Sequence, residues 1–205
     1  MPSRWTTTLG TAAMAVALLA ADGAATAAPP TLTCHLVPVG NHIVRGHVAF
    51  TPCPGNAGVR ISAAISGLQP GSVHGWHIHE FGDVSTFSGS GTGGHFNPLG
   101  VPHGLPGGQA RHVGDLGNLP PVDAGGHTRL DSHFCVASLH TDAIVGRGLV
   151  IHSRMDSGRG VSGEAGPRLA QCVLGIGKSP APAAARGRRG AHGAAGRAGA
   201  RAPRS

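Results

Sequence analysis

Tyrosine is absent from this 205-residue chain, and its only aromatic residues are two tryptophans and five phenylalanines. A hydrophobic core must therefore be built mainly from valine, isoleucine, leucine and alanine. Charge is also scarce, with 9 acidic and 16 basic residues. Seven of the basic residues lie within residues 178–205, which contain no acid, so residues 1–177 carry no net charge. This distribution argues against a basic nucleic-acid-binding groove on the folded part.

No Cys-x-x-C pair occurs among the four cysteines, Cys34, Cys53, Cys135 and Cys172. A zinc site built from cysteines is therefore disfavoured. In an oxidising compartment an even number of cysteines indicates two disulfides, for which three pairings are possible. The chain also lacks an Asn-x-Ser/Thr acceptor, so N-glycosylation is not expected.

The two ends are predicted to lie outside the folded domain. Met1–Ala28 reads as a secretory signal peptide, with Arg4, an apolar run at Ala12–Ala21 and small residues at a cleavage site. That run is too short to span a bilayer, so we expect a secreted protein without a transmembrane segment. Residues 178–205 read as a disordered basic Pro/Ala/Gly/Arg tail. The tail is either a solvated extension or a ligand for acidic glycans, and no nucleic-acid partner is expected.

Residues 29–177 are predicted to form the single folded domain. Short β-like runs bounded by turn residues occur at Ile43–Phe50, Val59–Ile65, His74–Glu80, Cys135–Leu139, Arg147–His152 and Cys172–Ile176. Many short strands without a helix-length amphipathic pattern indicate an all-β sandwich or barrel. The stretch from Phe81 to Leu119 is rich in glycine, proline and histidine and is predicted to be nearly strandless. A loop this long is usually functional, and it has few large side chains to hold it in place.

Histidine is unusually abundant, with 14 residues. On a strand, His77 and His79 project from the same face, about 6.6 Å apart, so they could share one metal ion. His95, His103, His112 and Asp115 follow along the loop and form a donor set that suits zinc. His152 ends a later strand-like run that could reach the same region. Seven further histidines show no such spacing and are predicted not to be ligands: His35, His42, His47, His127, His133, His140 and His192.

The motifs around these histidines resemble those of the copper/zinc superoxide dismutases. The segments that carry the resemblance are His74–Asp83, Gly94–Pro98, Arg111–Asn118, Gly146–His152 and Gly166–Ala170. They occur in the order found in that family, and the similarity spans roughly residues 32–177. The resemblance implies a Greek-key β-sandwich or barrel with long metal-binding and electrostatic loops.

The resemblance also implies a site and an activity. Copper would be held by His77, His79, His95 and His152. Zinc would be held by His95, His103, His112 and Asp115, so His95 would bridge both metals and also act in catalysis. Asp156 would link His77 to His103, and Arg168 would lie beside the open copper position. The implied reaction converts superoxide to O₂ and hydrogen peroxide by alternating reduction and reoxidation of copper.

The sequence departs from the family pattern at one disulfide. The family has a cysteine before the bridging histidine, but residues 80–94 contain none, and Phe87 or Ser88 lies about where it should be. Gln171 occupies the position of the partner cysteine. The resemblance therefore favours a Cys34–Cys172 bridge between the first and last strands, leaving Cys53 and Cys135 as a second pair or as free thiols. Because the same loop forms part of the family's dimer contact, dimerisation stays open.

Two other functions compete with the enzyme. The missing family cysteine is compatible with a catalytically weak secreted homologue that acts as a copper-binding or decoy protein, although the complete ligand set and Arg168 argue against it. Alternatively, the tail could be the functional part, with the folded domain as its carrier.

Overall fold

Strands dominate the computed structural model, which describes residues 28–178. Residues 1–27 of the expected signal and residues 179–205 of the expected tail lie outside the described residues. The strands are β1 (Leu32–Pro38), β2 (Arg45–Pro52), β3 (Val59–Ser66), β4 (Gly75–Ile78), β5 (Asp115–Asn118), β6 (His127–Asp131), β7 (Gly148–His152), β8 (Arg168–Val173) and β9 (Gly175–Ile176). One short helix, α1 (Thr141–Ile144), and two 3₁₀ turns, Pro54–Asn56 and Ser90–Thr92, complete the regular structure of this part of the chain.

The strands form one curled antiparallel sheet in the order β5-β4-β7-β8-β1-β2-β3-β6, with β9 beside the start of β1. Strand β1 joins its two halves, because its first residues pair with β2 and β9 while Val37 and Pro38 pair with β8. The chain crosses between the halves from β3 to β4, returns from β5 to β6, and crosses again to β7. These crossings produce the non-local β3–β6 and β4–β7 pairs that characterise a Greek key.

Alternation of side chains along the strands builds the core. In β3, Val59, Ile61, Ala63 and Ile65 are buried while the intervening residues are exposed or partly exposed. This is the period-two pattern expected for a sheet with one face inside. The core is mostly aliphatic, as the composition predicts, although Phe50 and Trp76 are among its most deeply buried side chains.

The structure corrects one predicted strand. Cys135–Leu139 is not a strand, because only Val136 forms an isolated bridge, with Val59, before the chain turns towards α1. The stretch Phe81–Leu119 is nearly strandless, as predicted, since β5 near its end is its one named strand. The resemblance places Cys34 in the first strand, as β1 has it, but β6 was not predicted. The predicted run Cys172–Ile176 begins four residues after the start of β8.

Both disulfides link distant parts of the domain. Cys34 is bonded to Cys172, as the sequence favours, and Cys53 is bonded to Cys135, so the described residues contain no free cysteine. Within residues 28–178, none of the helical segments has the length and apolar character needed to cross a bilayer.

Candidate metal centre

The outer face of the β4-β7-β8 half carries a row of side chains that is buried except at its β1 end, where Val37 is 43% exposed. Direct cross-strand pairing places Asp115, His77, Val150, Gln171 and Val37 in this row, one each from β5, β4, β7, β8 and β1. Paired residues project from the same face of a sheet. The neighbouring rows contain core residues, so the metal-ligating side chains project away from the apolar interior and under the long loops.

A first cluster consists of His77, His79, His95 and His152. One nitrogen from each ring lies within 4.8 Å of the others, and all four residues are buried. His77 belongs to β4 and His152 ends β7, while His79 follows β4 and bridges to His95 of the loop. The rings of His77 and His79 are 6.4 Å apart between centroids, and Ile78 between them is buried in the core.

A second cluster consists of His95, His103, His112 and Asp115, which also lie within 4.8 Å of one another and are buried. Asp115 Oδ1 is 2.8 Å from His95 Nδ1 and 3.1 Å from His112 Nδ1. Its Oδ2 is 2.9 Å from His103 Nδ1, although these two atoms are not aligned for a hydrogen bond. Backbone N–H groups of Gly104 and His112 also donate to Oδ2, which fixes the carboxylate within the loop.

The ring of His95 belongs to both clusters. Its Nδ1 faces the second cluster, and its Nε2 has no hydrogen-bond partner in the described part of the chain. His77 Nδ1 and His103 Nδ1 are likewise buried without a hydrogen-bond partner there. Unpaired buried nitrogens are costly unless they bind something. Four imidazoles suit copper, and three imidazoles with one carboxylate suit zinc, so the residues fit both ions.

Asp156 connects the two clusters. Its Oδ2 accepts a hydrogen bond from His77 Nε2 at 2.8 Å, and its Oδ1 accepts one from His103 Nε2 at 3.0 Å. The protons on these Nε2 atoms leave the Nδ1 lone pairs free to face the clusters. The side chain of Asn118 holds the backbone of Asp156 with one donated and one accepted hydrogen bond. Gly163 packs so closely that a Cβ there would overlap the carboxylate of Asp156.

Backbone carbonyls fix two further rings of the first cluster, those of His79 and His152. His79 Nδ1 donates to Gly93 O at 2.9 Å, and His152 Nδ1 donates to Gly166 O at 2.9 Å. Because a carbonyl only accepts, both rings carry the proton on Nδ1 and present an Nε2 lone pair. The two Nε2 atoms are 3.4 Å apart, so both lone pairs reach the same small space.

Arg168 lies beside the first cluster at the start of β8. Its guanidinium donates to the carbonyl oxygens of Gly89 and Gly93 and to Thr92 Oγ1. The nitrogen Nη2 is 3.5 Å from His79 Nδ1, and Gly93 O accepts from both side chains. The positive charge of Arg168 is therefore held at a fixed position next to the histidines of the first cluster.

Two contributors were missed by the sequence reading. His74 is buried, and its Nδ1 lies 2.8 Å from the backbone oxygen of His152. This hydrogen bond fixes the backbone of His152. Asn118 orients Asp156 as described above. A His74-x-x-His77 spacing and an asparagine at the end of the Asp115 motif were visible, but neither pattern indicates a supporting hydrogen bond without the fold.

Burial determines the protonation of two rings of the first cluster, those of His79 and His152. It lowers the pKa of His79 to about 2 and that of His152 to about 3. Burial alone would raise the pKa of Asp156, but hydrogen bonds from His77 and Gly158 outweigh it and lower that pKa to about 2. At neutral pH the rings of His79 and His152 are therefore neutral, as metal binding requires, and Asp156 is ionised.

Acid should destabilise the metal-free protein. Between pH 6.5 and about 3 the unfolded chain protonates these histidines while the folded protein does not, so stability falls as pH falls. For each of the two rings, the free energy of unfolding falls by about 1.4 kcal/mol per pH unit below pH 6.5. Urea unfolding at pH 7 and pH 5.5 measures this loss. A His79→Gln/His152→Gln variant should show a shallower pH dependence, and an equal slope in both proteins would contradict the assignment.

The two groups predicted as ligand sets are the two groups the structure brings together, within 4.8 Å in each case. The described histidines expected not to bind metal, namely His35, His42, His47, His127, His133 and His140, lie outside both clusters. His192 lies outside the described residues.

Gly89, rather than Phe87 or Ser88, faces Gln171, because a Cβ on Gly89 would lie 3.1 Å from Gln171 Oε1.

Comparison with known proteins places this geometry in a family. A family model described as copper/zinc superoxide dismutase (SODC) matches residues 44–174. An extracellular superoxide dismutase [Cu-Zn] of Haemonchus contortus is 43% identical over 128 residues, covering 58% of this chain and 67% of that protein. A superoxide dismutase [Cu-Zn] of Cryptococcus neoformans var. grubii is 39% identical over 145 residues, covering 67% of this chain and 93% of the relative. Superoxide dismutase [Cu-Zn] 4 of Dictyostelium discoideum is 40% identical over 139 residues, covering 64% of this chain and 91% of that protein. The matched region contains both clusters, Asp156 and Arg168, and the chain belongs to the copper/zinc superoxide dismutase family.

Proposed function

We propose that this protein is a secreted copper/zinc superoxide dismutase. The observation that carries the proposal is the ring of His95, which lies in both clusters, together with Arg168, whose Nη2 is 3.5 Å from His79 Nδ1 in the first cluster. His77, His79, His95 and His152 would hold copper, and His95, His103, His112 and Asp115 would hold zinc. Copper would supply one-electron transfer, and zinc, which does not change oxidation state, would order the loop and hold the His95 ring.

The protein's own residues bind the substrate and move its protons. Two superoxide ions and two protons give one O₂ and one hydrogen peroxide. Arg168 attracts the small anion and orients it beside the copper-side rings. His95 can take a proton on Nε2 in one half of the cycle and return it to the product in the other, since its Nδ1 stays fixed near Asp115. Gly93 and Gly166 keep the other lone pairs in place throughout.

The direct test is a superoxide assay on the purified chain loaded with copper and zinc. Stopped-flow decay should be catalytic, with one hydrogen peroxide formed for every two superoxide ions consumed. Two metals bound per chain without turnover would instead favour a copper-binding or decoy protein.

Replacing Arg168 with methionine should lower kcat/KM for superoxide about ten- to a hundredfold, because a positive charge near a cleft raises the capture of anions. The metal content should not change, since Arg168 is not a ligand. Arg45→Met, which removes an exposed arginine of β2, serves as the control. Equal losses in both variants would mean that net charge, and not the position of Arg168, governs the rate.

The termini support secretion and a surface partner. The signal-like segment Met1–Ala28 supports export, and the seven basic residues of 178–205 support binding to acidic glycans. Deleting residues 178–205 should abolish salt-sensitive retention on heparin and leave turnover unchanged. Retention that persists after the deletion would place glycan binding on the folded domain.

A further inference from the structure

Gln171 is a buried polar residue that does not belong to either cluster. It lies in β8, with 2% of its surface exposed, in the same outer row as His77 and Asp115. Its Nε2 donates to the carbonyl oxygen of Val84 at 3.2 Å, and its Oε1 has no hydrogen-bond partner in the described residues. A buried unpaired oxygen is unfavourable, so stability alone does not explain an amide at this position.

The segment contacted by Gln171 is the one that holds Arg168. Val84–Gly93 supplies both carbonyl oxygens to which the guanidinium donates, those of Gly89 and Gly93. Gly89 lies between the two side chains, since a Cβ there would be 3.1 Å from Gln171 Oε1 and 3.2 Å from Arg168 Cδ. A displacement of this segment would therefore move the acceptors of Arg168.

Few other interactions fix the first part of this segment, residues 84–91. Phe87, its largest side chain, is 73% exposed, and Gly89 and Thr92 are its only buried residues. The end of the segment is held by Phe81 N–H, which donates to Thr92 O, and by the His79 ring, which donates to Gly93 O. Over residues 84–91, Gly40 N–H to Phe87 O is the backbone bond from outside, and the other backbone bonds are turns within the segment. Since apolar burial does not anchor residues 84–91, the amide of Gln171 is one of the few restraints, besides Arg168 itself, that tie this part to the sheet.

We propose that Gln171 is a positioning residue for Arg168. Its amide holds Val84–Gly93 against β8, and this keeps the carbonyl oxygens of Gly89 and Gly93 where they orient the guanidinium towards the copper-side histidines. The proposal rests on the proposed function, in which Arg168 binds the anionic substrate. Gln171 occupies the position of a cysteine that forms a disulfide in the family. Because the restraint made by Gln171 is a hydrogen bond and not a disulfide, thiol reductants do not act on it directly.

The test replaces Gln171 with methionine, which keeps the side-chain volume and removes the donor. In the copper- and zinc-loaded protein, we expect azide, used as an anionic probe, to bind at least threefold more weakly by visible absorption titration. The copper and zinc contents should match those of the wild type. In the metal-free protein, amide hydrogen exchange in residues 83–93 should accelerate, and this readout does not depend on activity.

Ile65→Ala is the control, because it removes a buried core side chain of β3 and leaves the segment intact. It should lower overall stability without changing azide affinity or exchange in residues 83–93. Wild-type azide affinity and exchange in Gln171→Met would overturn the proposal, as would an equal azide change in the Ile65 variant. If Gln171→Met does not fold, Gln171→Leu makes the same comparison. A wild-type protein that binds both metals but does not consume superoxide would refute the proposed function instead, while faster exchange in the variant would still support the restraint on the segment.

Discussion

Replacing His95 with alanine should impair both metal sites at once and reduce superoxide turnover at least about a hundredfold. Loss of a residue that only supports a metal ligand costs up to about a hundredfold, and loss of a ligand should cost at least as much. The reason is that the His95 ring is the one side chain common to both clusters. Its loss removes one of four donors from each set and also the proposed proton carrier. Elemental analysis after dialysis against a weak chelator, combined with the stopped-flow assay, measures both effects.

His35→Ala is the matched control, because His35 is an exposed histidine of β1 outside both clusters. It should bind two metals per chain and turn over superoxide at the wild-type rate. A His95 variant that retains one full equivalent of each metal would show that the ring is not shared, and the assignment of two adjoining sites would be wrong.

Removing the Cys34–Cys172 disulfide by a Cys34→Ala/Cys172→Ala double substitution should lower the free energy of unfolding by about 2–4 kcal/mol. The bond joins β1 to β8 across 138 residues of sequence, so it strongly restricts the unfolded chain. Both sulfurs lie in the core, which adds a packing loss on truncation. Chemical denaturation of the metal-free variant at pH 7 measures the difference.

The comparison is the Cys53→Ala/Cys135→Ala variant, whose bond spans 82 residues. Since closure entropy grows only with the logarithm of loop length, the two losses should differ by about 0.5 kcal/mol from this cause. Neither variant should lose its metals, because none of the four cysteines lies in a cluster. Loss of metal from the Cys34/Cys172 variant under native conditions would show that this bond also orders the site through β8.

The two clusters could be predicted from sequence because their residues occur in specific motifs. His77 and His79 share a face by strand alternation, and Asp115 follows His112 by three residues, so that both reach the second cluster. The order of these motifs along the chain indicated the family resemblance, and the resemblance implied the two complete ligand sets. No propensity argument alone would have brought His152 to His79, because that contact depends on the β4–β7 crossing.

Strand predictions failed where pairing, and not composition, determines the structure. The sequence of β6, His-Thr-Arg-Leu-Asp, is mostly polar, and it is a strand because β3 offers an unpaired edge. Cys135–Leu139 has an apolar pattern, yet its disulfide to Cys53 and the turn before α1 leave room for a single bridge. Tertiary pairing overrides local preference in both cases.

The restraint on Arg168 could not be predicted for a related reason. Counting residues placed Phe87 or Ser88 opposite Gln171, whereas the 3₁₀ turn at Ser90–Thr92 and the left-handed backbone of Gly89, with φ of 75°, bring Gly89 there. Loop paths of this kind depend on individual backbone torsions, which sequence spacing does not fix. The functional consequence, a carbonyl oxygen aimed at Arg168, follows from that torsion.

The most direct test of the account is a crystal structure of the metal-loaded protein with anomalous data at the copper and zinc edges. We predict one copper within bonding distance of His77 Nδ1, His79 Nε2, His152 Nε2 and His95 Nε2, and one zinc bound by His95 Nδ1, His103 Nδ1, His112 Nδ1 and Asp115. A single metal position, or two positions of which only one contacts His95, would contradict the claim that one imidazole ring joins both sites.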